Sequence, residues 1–153
     1  MKANGKDVFM TDMHAPVTHE QNDPELIGHL GQVHPMMETR GLAPSLSALI
    51  ELRASQINQC AYCVNMHVTE ARKAGVPQEK LDKVIVWRHT NTFDDAERAV
   101  LAWTEALTKL DHHTDYASLR GTLRQHFSEH EITIITTDIA MINMWNRIQV
   151  SKH

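Results

Sequence analysis

Two cysteines and one histidine form the most reactive pattern in this sequence. Cys60 and Cys63 are the only cysteines of the chain, and His67 follows the second of them by four residues. Read as a helix, the stretch from Asn58 to Ala74 places these side chains on one face, because residues at i, i+3, i+4 and i+7 share a side. The spacing therefore predicts a dithiol and an imidazole that face the protein core together.

A dithiol beside an imidazole can reduce a peroxide. The imidazole of His67 can accept the proton of Cys63 or pair with its thiolate, whereas the field of the helix N-terminus favours a thiolate at Cys60. The direct hydrogen bond is the stronger argument, since the helix field fades within the first turn. Cys63 is therefore predicted to attack the O–O bond and become a sulfenic acid, which condenses with Cys60 to a disulfide.

A carboxylate that orients the imidazole would complete such a site. Glu51, on the preceding predicted helix, is the candidate by sequence, and a solvated surface charge explains this residue equally well. The predicted catalytic set is therefore Cys63, Cys60, His67 and Glu51.

Other interpretations of the same motif stay open. The three core-facing residues could simply pack a helix interface, since free cysteines are often buried and inert. They could bind a metal, but a structural zinc site needs four ligands and the sequence places no fourth, so neither a metal nor another cofactor is predicted. A thiol–disulfide exchanger or redox sensor would use the same dithiol without turning over peroxide, and is the main rival.

Composition narrows the classes of function. The chain has 153 residues, a mass of 17.4 kDa and a net charge of -4, which is typical of one globular domain and gives no footprint for nucleic acid. It contains neither a basic tract for an anionic membrane, nor an apolar run long enough to span one, nor a signal-peptide pattern. The expected compartment is the cytoplasm, where a cysteine pair is redox-active or metal-binding rather than structural.

Helical periodicity runs through most of the chain. It predicts an all-α fold of about seven helices, at 23–39, 44–57, 58–74, 78–88, 94–110, 115–127 and 128–150. Asn58 is the expected N-cap of the cysteine helix. Residues 1–22 show no sustained period and are predicted to form an N-terminal arm, followed by one helical domain at 23–153. The last helix is apolar on two sides, which is typical of a central helix or of one covered by another subunit.

Four runs of sequence carry a resemblance to a known family. They are L-I-E-L-R-A-S-Q-I-N-Q-C-A-Y-C-V-N-M-H at Leu49 to His67, W-R-H-T at Trp87 to Thr90, E-R-A-V-L-A-W-T-E-A-L-T at Glu97 to Thr108, and N-M-W-N-R at Asn143 to Arg147. Together they resemble the alkylhydroperoxidase D-like proteins of the carboxymuconolactone decarboxylase family, over most of the chain after the N-terminal arm.

The resemblance implies an all-α protein that forms homo-oligomers, either trimers or hexamers. Its cysteine-containing members are thiol peroxidases, in which the residue matching Cys63 attacks, that matching Cys60 resolves and that matching His67 relays a proton. The implied partners are a small hydroperoxide as substrate and a thiol or dithiol reductant that the sequence does not identify. Nucleic acid and membrane are not expected partners.

Two positions depart from the family pattern. The relay carboxylate of the family usually sits twelve residues before the first cysteine, and Ala48 stands there in this chain. Glu51 lies one helical turn later, nearly on the same face, and is expected to substitute for it. The residue before the second cysteine is Tyr62, where the best-known type of the family has a histidine.

Overall fold

Residues 13–153, the part of the chain that the computed structural model describes, contain helices and loops and no strand. The α-helices of this range are α1 (His19–Asn22), α2 (Pro24–Gly31), α3 (Val33–Glu38), α4 (Pro44–Ile57), α5 (Ala61–Lys73), α6 (Gln78–Lys83), α7 (Asp95–Lys109), α8 (Tyr116–Leu123) and α9 (Glu129–Val150). A 3₁₀ helix, Val84–His89, follows α6 directly. The predicted all-α class is confirmed.

Helix α4 is the centre of the bundle and packs against α5, α7 and α9. Its Leu49 and Leu52 belong to a core cluster shared with α5, α6 and the 3₁₀ helix. Its Ile50 belongs to a second cluster, shared with α7, α8 and α9. Burying each such side chain contributes about 1.5–3 kcal/mol, so α4 is held from several sides and is a rigid platform for the residues on it.

Capping boxes begin α7 and α9. The Asp94 carboxylate accepts the N–H of Glu97 at 2.8 Å, while the Glu97 carboxylate accepts the N–H of Asp94 at 3.0 Å. Ser128 and Glu131 make the same reciprocal pair at the start of α9. Each cap satisfies amides that the helix itself leaves unpaired and contributes about 1 kcal/mol.

The predicted start of the cysteine helix was wrong. Its N-cap is Cys60 rather than Asn58. Asn58 instead ends α4, and its amide donates to the side-chain oxygens of Asn143 and Asn146 on α9, both at 2.9 Å. Gln59 adopts a left-handed conformation with φ of 56°. The chain therefore needs two more residues to turn between the helices than helical periodicity alone suggested.

The helix predicted over 23–39 is interrupted. Helix α2 ends at Gly31 and α3 begins at Val33. The cause is Pro35, which has no N–H to bond the Gly31 carbonyl and whose ring would clash with it in a continuous helix. The break turns α3 toward the side of the bundle where the cysteines lie, so that its residues line the cleft described below.

The predicted N-terminal arm is only partly described. Residues 1–12 of it lie outside the described range, and residues 19–22 form the short helix α1. This helix contacts the residues after α9: the His19 imidazole hydrogen-bonds the Ser151 hydroxyl at 2.8 Å, and Lys152 pairs with Glu20 at 2.6 Å. The two ends of the described chain are therefore tied together.

Helix α9 buries one side and half-buries another, as its two apolar stripes suggested. Ile135, Ile139 and Ile142 are buried in the core, whereas Met141 and Trp145 on the other side are half-buried. Between residues 13 and 153, no helix combines the length and the apolar character that crossing a membrane requires.

Candidate active site

The two cysteines form a disulfide at the start of α5. Their Cα atoms are 5.3 Å apart, and the Cys60 sulfur accepts the N–H of Cys63 at 3.3 Å. Both residues are buried, with 2% of Cys60 and 1% of Cys63 exposed. The disulfide is therefore shielded from bulk solvent, and a reactant must come to it through an opening in the fold.

That opening is a cleft of about 710 Å³ between α3, α4, α5 and α9. Cys63 lines it, whereas Cys60 is not among its lining residues. Much of the wall is apolar, formed by residues that include Met37, Leu42, Met66, Ile142 and Trp145. Its volume is within the range of small-molecule sites in proteins. A small apolar molecule can therefore reach Cys63, with Cys60 behind it.

The imidazole of His67 is held between two carboxylates. Its Nδ1 lies 2.8 Å from the nearer Glu70 oxygen and 3.3 Å from the nearer Glu51 oxygen. These contacts assign the proton of the neutral ring to Nδ1. The Nε2 atom is buried and has no hydrogen-bond partner within the described range. Cys63 lies one helical turn before His67 on α5, and both residues line the cleft.

The surroundings of His67 favour its charged form. Burial lowers the pKa of His67, but the hydrogen bond and the negative charge of Glu51, with a smaller contribution from Glu70, raise it above its ordinary value. Glu51 has the larger effect, although Glu70 is closer, because the Glu70 side chain is half exposed and water screens its charge. Glu51 is thus placed where the sequence predicted a carboxylate partner.

Asp138 of α9 is a third carboxyl at the cleft, more deeply buried than Glu51 and Glu70, and no motif in the sequence pointed to it. The Ser47 hydroxyl donates to its Oδ2 at 2.7 Å, while its Oδ1 is buried without a partner in the described part of the chain. Burial and the negative charge of Glu51 raise the pKa of Asp138 to about 7, against the opposing effects of Ser47 and His67. A signal existed, because Asp138 is an acidic residue at core spacing between Ile135 and Ile142.

His34 of α3 completes this side of the cleft. The Trp145 indole N–H donates to its Nε2 at 2.7 Å, so the neutral ring carries its proton on Nδ1. That Nδ1 lies 3.9 Å from Glu51. His34 therefore presents a donor toward the carboxylates.

Two groups of these side chains have the composition of metal ligands. His34, Glu51 and Asp138 form one, and Glu51, His67 and Glu70 the other, each with candidate ligand atoms within 4.8 Å of one another. In both, the imidazole nitrogen that faces the carboxylates carries the proton of the neutral ring, so a metal ion would have to displace that proton to bind there.

The two departures from the family pattern also lie at the cleft. Ala48 is buried on the cleft wall, and Glu51 one turn later reaches His67. Tyr62 lies at the opening, with 56% of its surface exposed. Glu51 therefore lies one helical turn from a small buried residue, Ala48. Tyr62 does not belong to the buried group of acids and bases formed by His34, Glu51, His67 and Asp138.

The other family-like runs lie away from the dithiol and build the scaffold. Glu105 accepts hydrogen bonds from Arg53 at 2.7 and 2.8 Å, from the Trp87 indole at 2.9 Å and from Arg88 at 2.9 Å. Burial opposes ionisation of Glu105, but these donors lower its pKa to about 2. The cluster joins α4, the 3₁₀ helix and α7 through a permanently charged carboxylate.

The run at the end of the chain has a similar role. The amide of Asn146 donates to the Ser55 hydroxyl at 3.0 Å, and the amide of Asn143 donates to the Thr108 hydroxyl at 3.0 Å. Buried polar groups are costly unless paired, so these bonds fix the position of α9 against α4 and α7. They thereby hold Asp138, on the same helix, at the cleft.

Comparisons with known proteins identify relatives of this chain. The sequence model of the carboxymuconolactone decarboxylase family matches residues 33–106. The uncharacterized protein YdfG of Bacillus subtilis (strain 168) is 31% identical over 103 residues, which cover 67% of this chain and 70% of YdfG.

Solved structures share the fold. ATU0492 of Agrobacterium tumefaciens, a protein of unknown function suggested to be the antioxidant defence protein AhpD, superposes with a TM-score of 0.85 at 37% identity, over 90% of this chain and 94% of that one. The debrominase Bmp8 superposes with a TM-score of 0.76 at 21% identity, over 86% of this chain and 71% of that one. At that identity, the second likeness concerns the fold alone.

Proposed function

Because the chain belongs to the carboxymuconolactone decarboxylase family, we propose that it is a thiol-dependent peroxidase that reduces organic hydroperoxides through Cys63 and Cys60. The observation that carries the proposal is the position of Cys63: it belongs to a disulfide, and it lines a largely apolar cleft together with His67 and Glu51. The likeness to ATU0492, with its suggested role in antioxidant defence, supports it.

The reaction follows from these positions. In the reduced protein, Nε2 of His67 takes the proton of Cys63, and the thiolate attacks the hydroperoxide. The O–O bond breaks, Cys63 becomes a sulfenic acid, and the departing alkoxide takes the proton back from His67. The Cys60 thiol then displaces water from the sulfenic acid. Two thiols and one hydroperoxide thus become one disulfide, one alcohol and one water.

The rival function is thiol–disulfide exchange with a protein partner, in which a thiolate of one molecule lines up with a disulfide of the other. Both sulfurs are buried and Cys63 lines the cleft, so a small hydroperoxide, or a small thiol that reduces the disulfide afterwards, has easier access to them than another protein has. The contact between Glu51 and His67 supports peroxidase chemistry, because it gives the imidazole a carboxylate partner although Ala48 stands at the usual relay position.

A stopped-flow titration of the reduced protein with an organic hydroperoxide tests the proposal. We expect rapid loss of two thiols and a mass decrease of about 2 Da as the disulfide forms. Cys63→Ser should abolish the reaction, whereas Cys60→Ser should stop at a sulfenic acid after one turnover. Slow reaction with hydroperoxide but ready oxidation by a small disulfide would favour the exchanger instead. Loss of the first step in Cys60→Ser would reverse the assignment of the two sulfurs.

The proposal includes a homo-oligomer in the cytoplasm, recycled by a thiol or dithiol reductant. The half-buried side of α9, which carries Ile134, Met141 and Ile148, is the surface expected to meet another copy. Sedimentation velocity would test this: a trimer or hexamer is expected, and a monomer at working concentration would contradict it.

A further inference from the structure

Glu51 and Asp138 place two carboxyl groups in one buried space. Glu51 comes from α4 and Asp138 from α9, and candidate ligand atoms of the pair and of His34 lie within 4.8 Å of one another. Only 2% of Asp138 is exposed. Two ionised carboxylates this close and this buried would repel strongly, which is the situation in which one of the pair keeps its proton.

The groups around the pair do not supply a permanent positive charge. From α3 the pair faces His34, from α5 it faces His67 and Glu70, and from α4 itself comes the Ser47 hydroxyl. Between residues 13 and 153, neither carboxyl forms an ion pair with a lysine or an arginine. Lys73 lines the same cleft without such a contact. Among the described residues, histidine is therefore the sole source of positive charge in contact with the pair, and a histidine is charged only when it is protonated.

We propose that Glu51 and Asp138 hold one proton between them, and that Asp138, as the protonated partner, positions Glu51 against His67. The Oδ1 of Asp138, which is buried and has no partner among the described residues, is the atom on which that proton would lie. Asp138 is thus a positioning residue, which acts on the reaction through Glu51 and His67. The inference builds on the proposed roles of Cys63 and His67.

The arrangement matches the charge that the reaction creates. When His67 takes the proton of Cys63, it becomes an imidazolium and needs one buried counter-charge. Ionised Glu51 supplies that negative charge. A neutral Asp138 adds no second negative charge, and it donates a hydrogen bond that holds the Glu51 carboxylate in place. The shared proton is not consumed in the reaction. The raised pKa of Asp138, about 7, is consistent with this state.

Infrared difference spectroscopy against pH tests the shared proton without any substrate. The wild-type protein should show the carbonyl band of a protonated carboxyl that disappears with a midpoint near 7, and Asp138→Asn should lack this band. Ser47→Ala should move the midpoint to higher pH, because the Ser47 hydroxyl favours the ionised form of Asp138. Absence of the band in the wild-type protein at about pH 6 would overturn the proposal.

Kinetics on two reagents test the positioning role. Asp138→Leu, which cannot hydrogen-bond to Glu51, should slow the hydroperoxide reaction of the reduced protein by roughly 100-fold. It should slow alkylation by iodoacetamide much less, since iodide leaves without needing a proton. Asp138→Asn mimics the neutral acid and should restore most of the lost rate at about pH 6. Per thiolate, the wild-type rate should then decline as the pH rises through about 7, and that of Asp138→Asn should decline less.

The outcomes separate the two proposals. If Asp138→Asn is as slow with hydroperoxide as Asp138→Leu while both keep the wild-type melting temperature, Asp138 acts as an anion and the positioning role is wrong. If the wild-type protein fails to react with hydroperoxide, the proposed function is wrong, and the infrared titration still decides whether the proton is shared.

Discussion

Buried carboxylates hold this molecule together in one place and equip it for chemistry in another. Glu105 meets the guanidinium groups of Arg53 and Arg88, and its pKa lies at about 2. Asp138, beside Glu51, meets no permanent cation in the described structure, and its pKa lies at about 7. A buried carboxylate stabilises the fold where arginines neutralise its charge. The same group can keep an exchangeable proton where histidine and hydroxyl groups, rather than arginines, are its partners.

The two clusters share helix α4 as their common support. Arg53 of the Glu105 cluster and Glu51 of the cleft are two residues apart on it, so they point to different sides. The core contacts on several sides of α4 therefore position the scaffold and the site together. Changes in one cluster should affect stability and changes in the other should affect reactivity, which the following variants test.

The largest expected effect is on stability at the Glu105 cluster. Glu105→Gln leaves Arg53 without a buried counter-charge and should lower the free energy of unfolding by about 3 kcal/mol, as measured by urea denaturation at neutral pH. Lys109→Ala is the matched control: Lys109 lies 3.7 Å from the same carboxylate but is half exposed, so its loss should cost less than about 1 kcal/mol. If Glu105→Gln and Lys109→Ala lower the free energy of unfolding by the same amount, then pairing with arginine is not what makes the Glu105 cluster important for stability.

At the cleft, the next variant should change the reaction rate strongly and the stability little. Glu51→Gln removes the counter-charge of His67 and should slow reduction of hydroperoxide by roughly 100-fold. The free energy of unfolding should stay within about 1 kcal/mol of the wild-type value, because the cost of burying the Glu51 charge disappears together with its pairing to His67. If Glu51→Gln destabilises the protein as much as Glu105→Gln does, then Glu51 stabilises the fold in the same way as Glu105.

The two clusters should also show pH dependences of stability with opposite signs. The ordinary pKa of Glu105 is 4.5 and the folded value about 2, so its contribution to stability is present above 4.5 and is lost as the pH falls toward 2. For Asp138 the ordinary value is 3.8 and the folded value about 7, so the free energy of unfolding falls as the pH rises between them.

Urea denaturation across this pH range, with variants at both positions, measures the two slopes. The stability lost in Glu105→Gln should shrink as the pH falls below 4.5. Asp138→Asn should gain stability relative to the wild-type protein as the pH rises toward 7. Slopes of the same sign would contradict the distinction between the clusters.

Local patterns in the sequence predicted most of the fold. Helical periodicity and capping boxes such as that of Asp94 and Glu97 are properties of neighbouring residues, and they survive into the structure. The start of α5 was predicted wrongly because Asn58 is engaged by a distant helix, α9. The break before α3 was locally encoded by Pro35, but the apolar stripe on both sides of it concealed the signal.

The site was predictable only along single helices. Cys63 and His67 lie one turn apart on α5 and both line the cleft, as their spacing suggested, whereas Cys60 caps the helix and lies behind them. The approach of Asp138 to Glu51 depends on how α9 crosses α4, which no local pattern specifies. Its one sign in the sequence was an acidic residue at core spacing.

The hydrogen bond that caps the start of α5 should report on the oxidation state of the two cysteines. The N–H of Cys63 donates to the sulfur of Cys60. In the reduced protein this sulfur belongs to a thiol, which is a different hydrogen-bond acceptor from a disulfide sulfur. The backbone amide of Cys63 should therefore have a different proton chemical shift and hydrogen-exchange rate in the two oxidation states. An isotope-labelled sample could report on turnover at that single amide, without any dye attached to the cysteines.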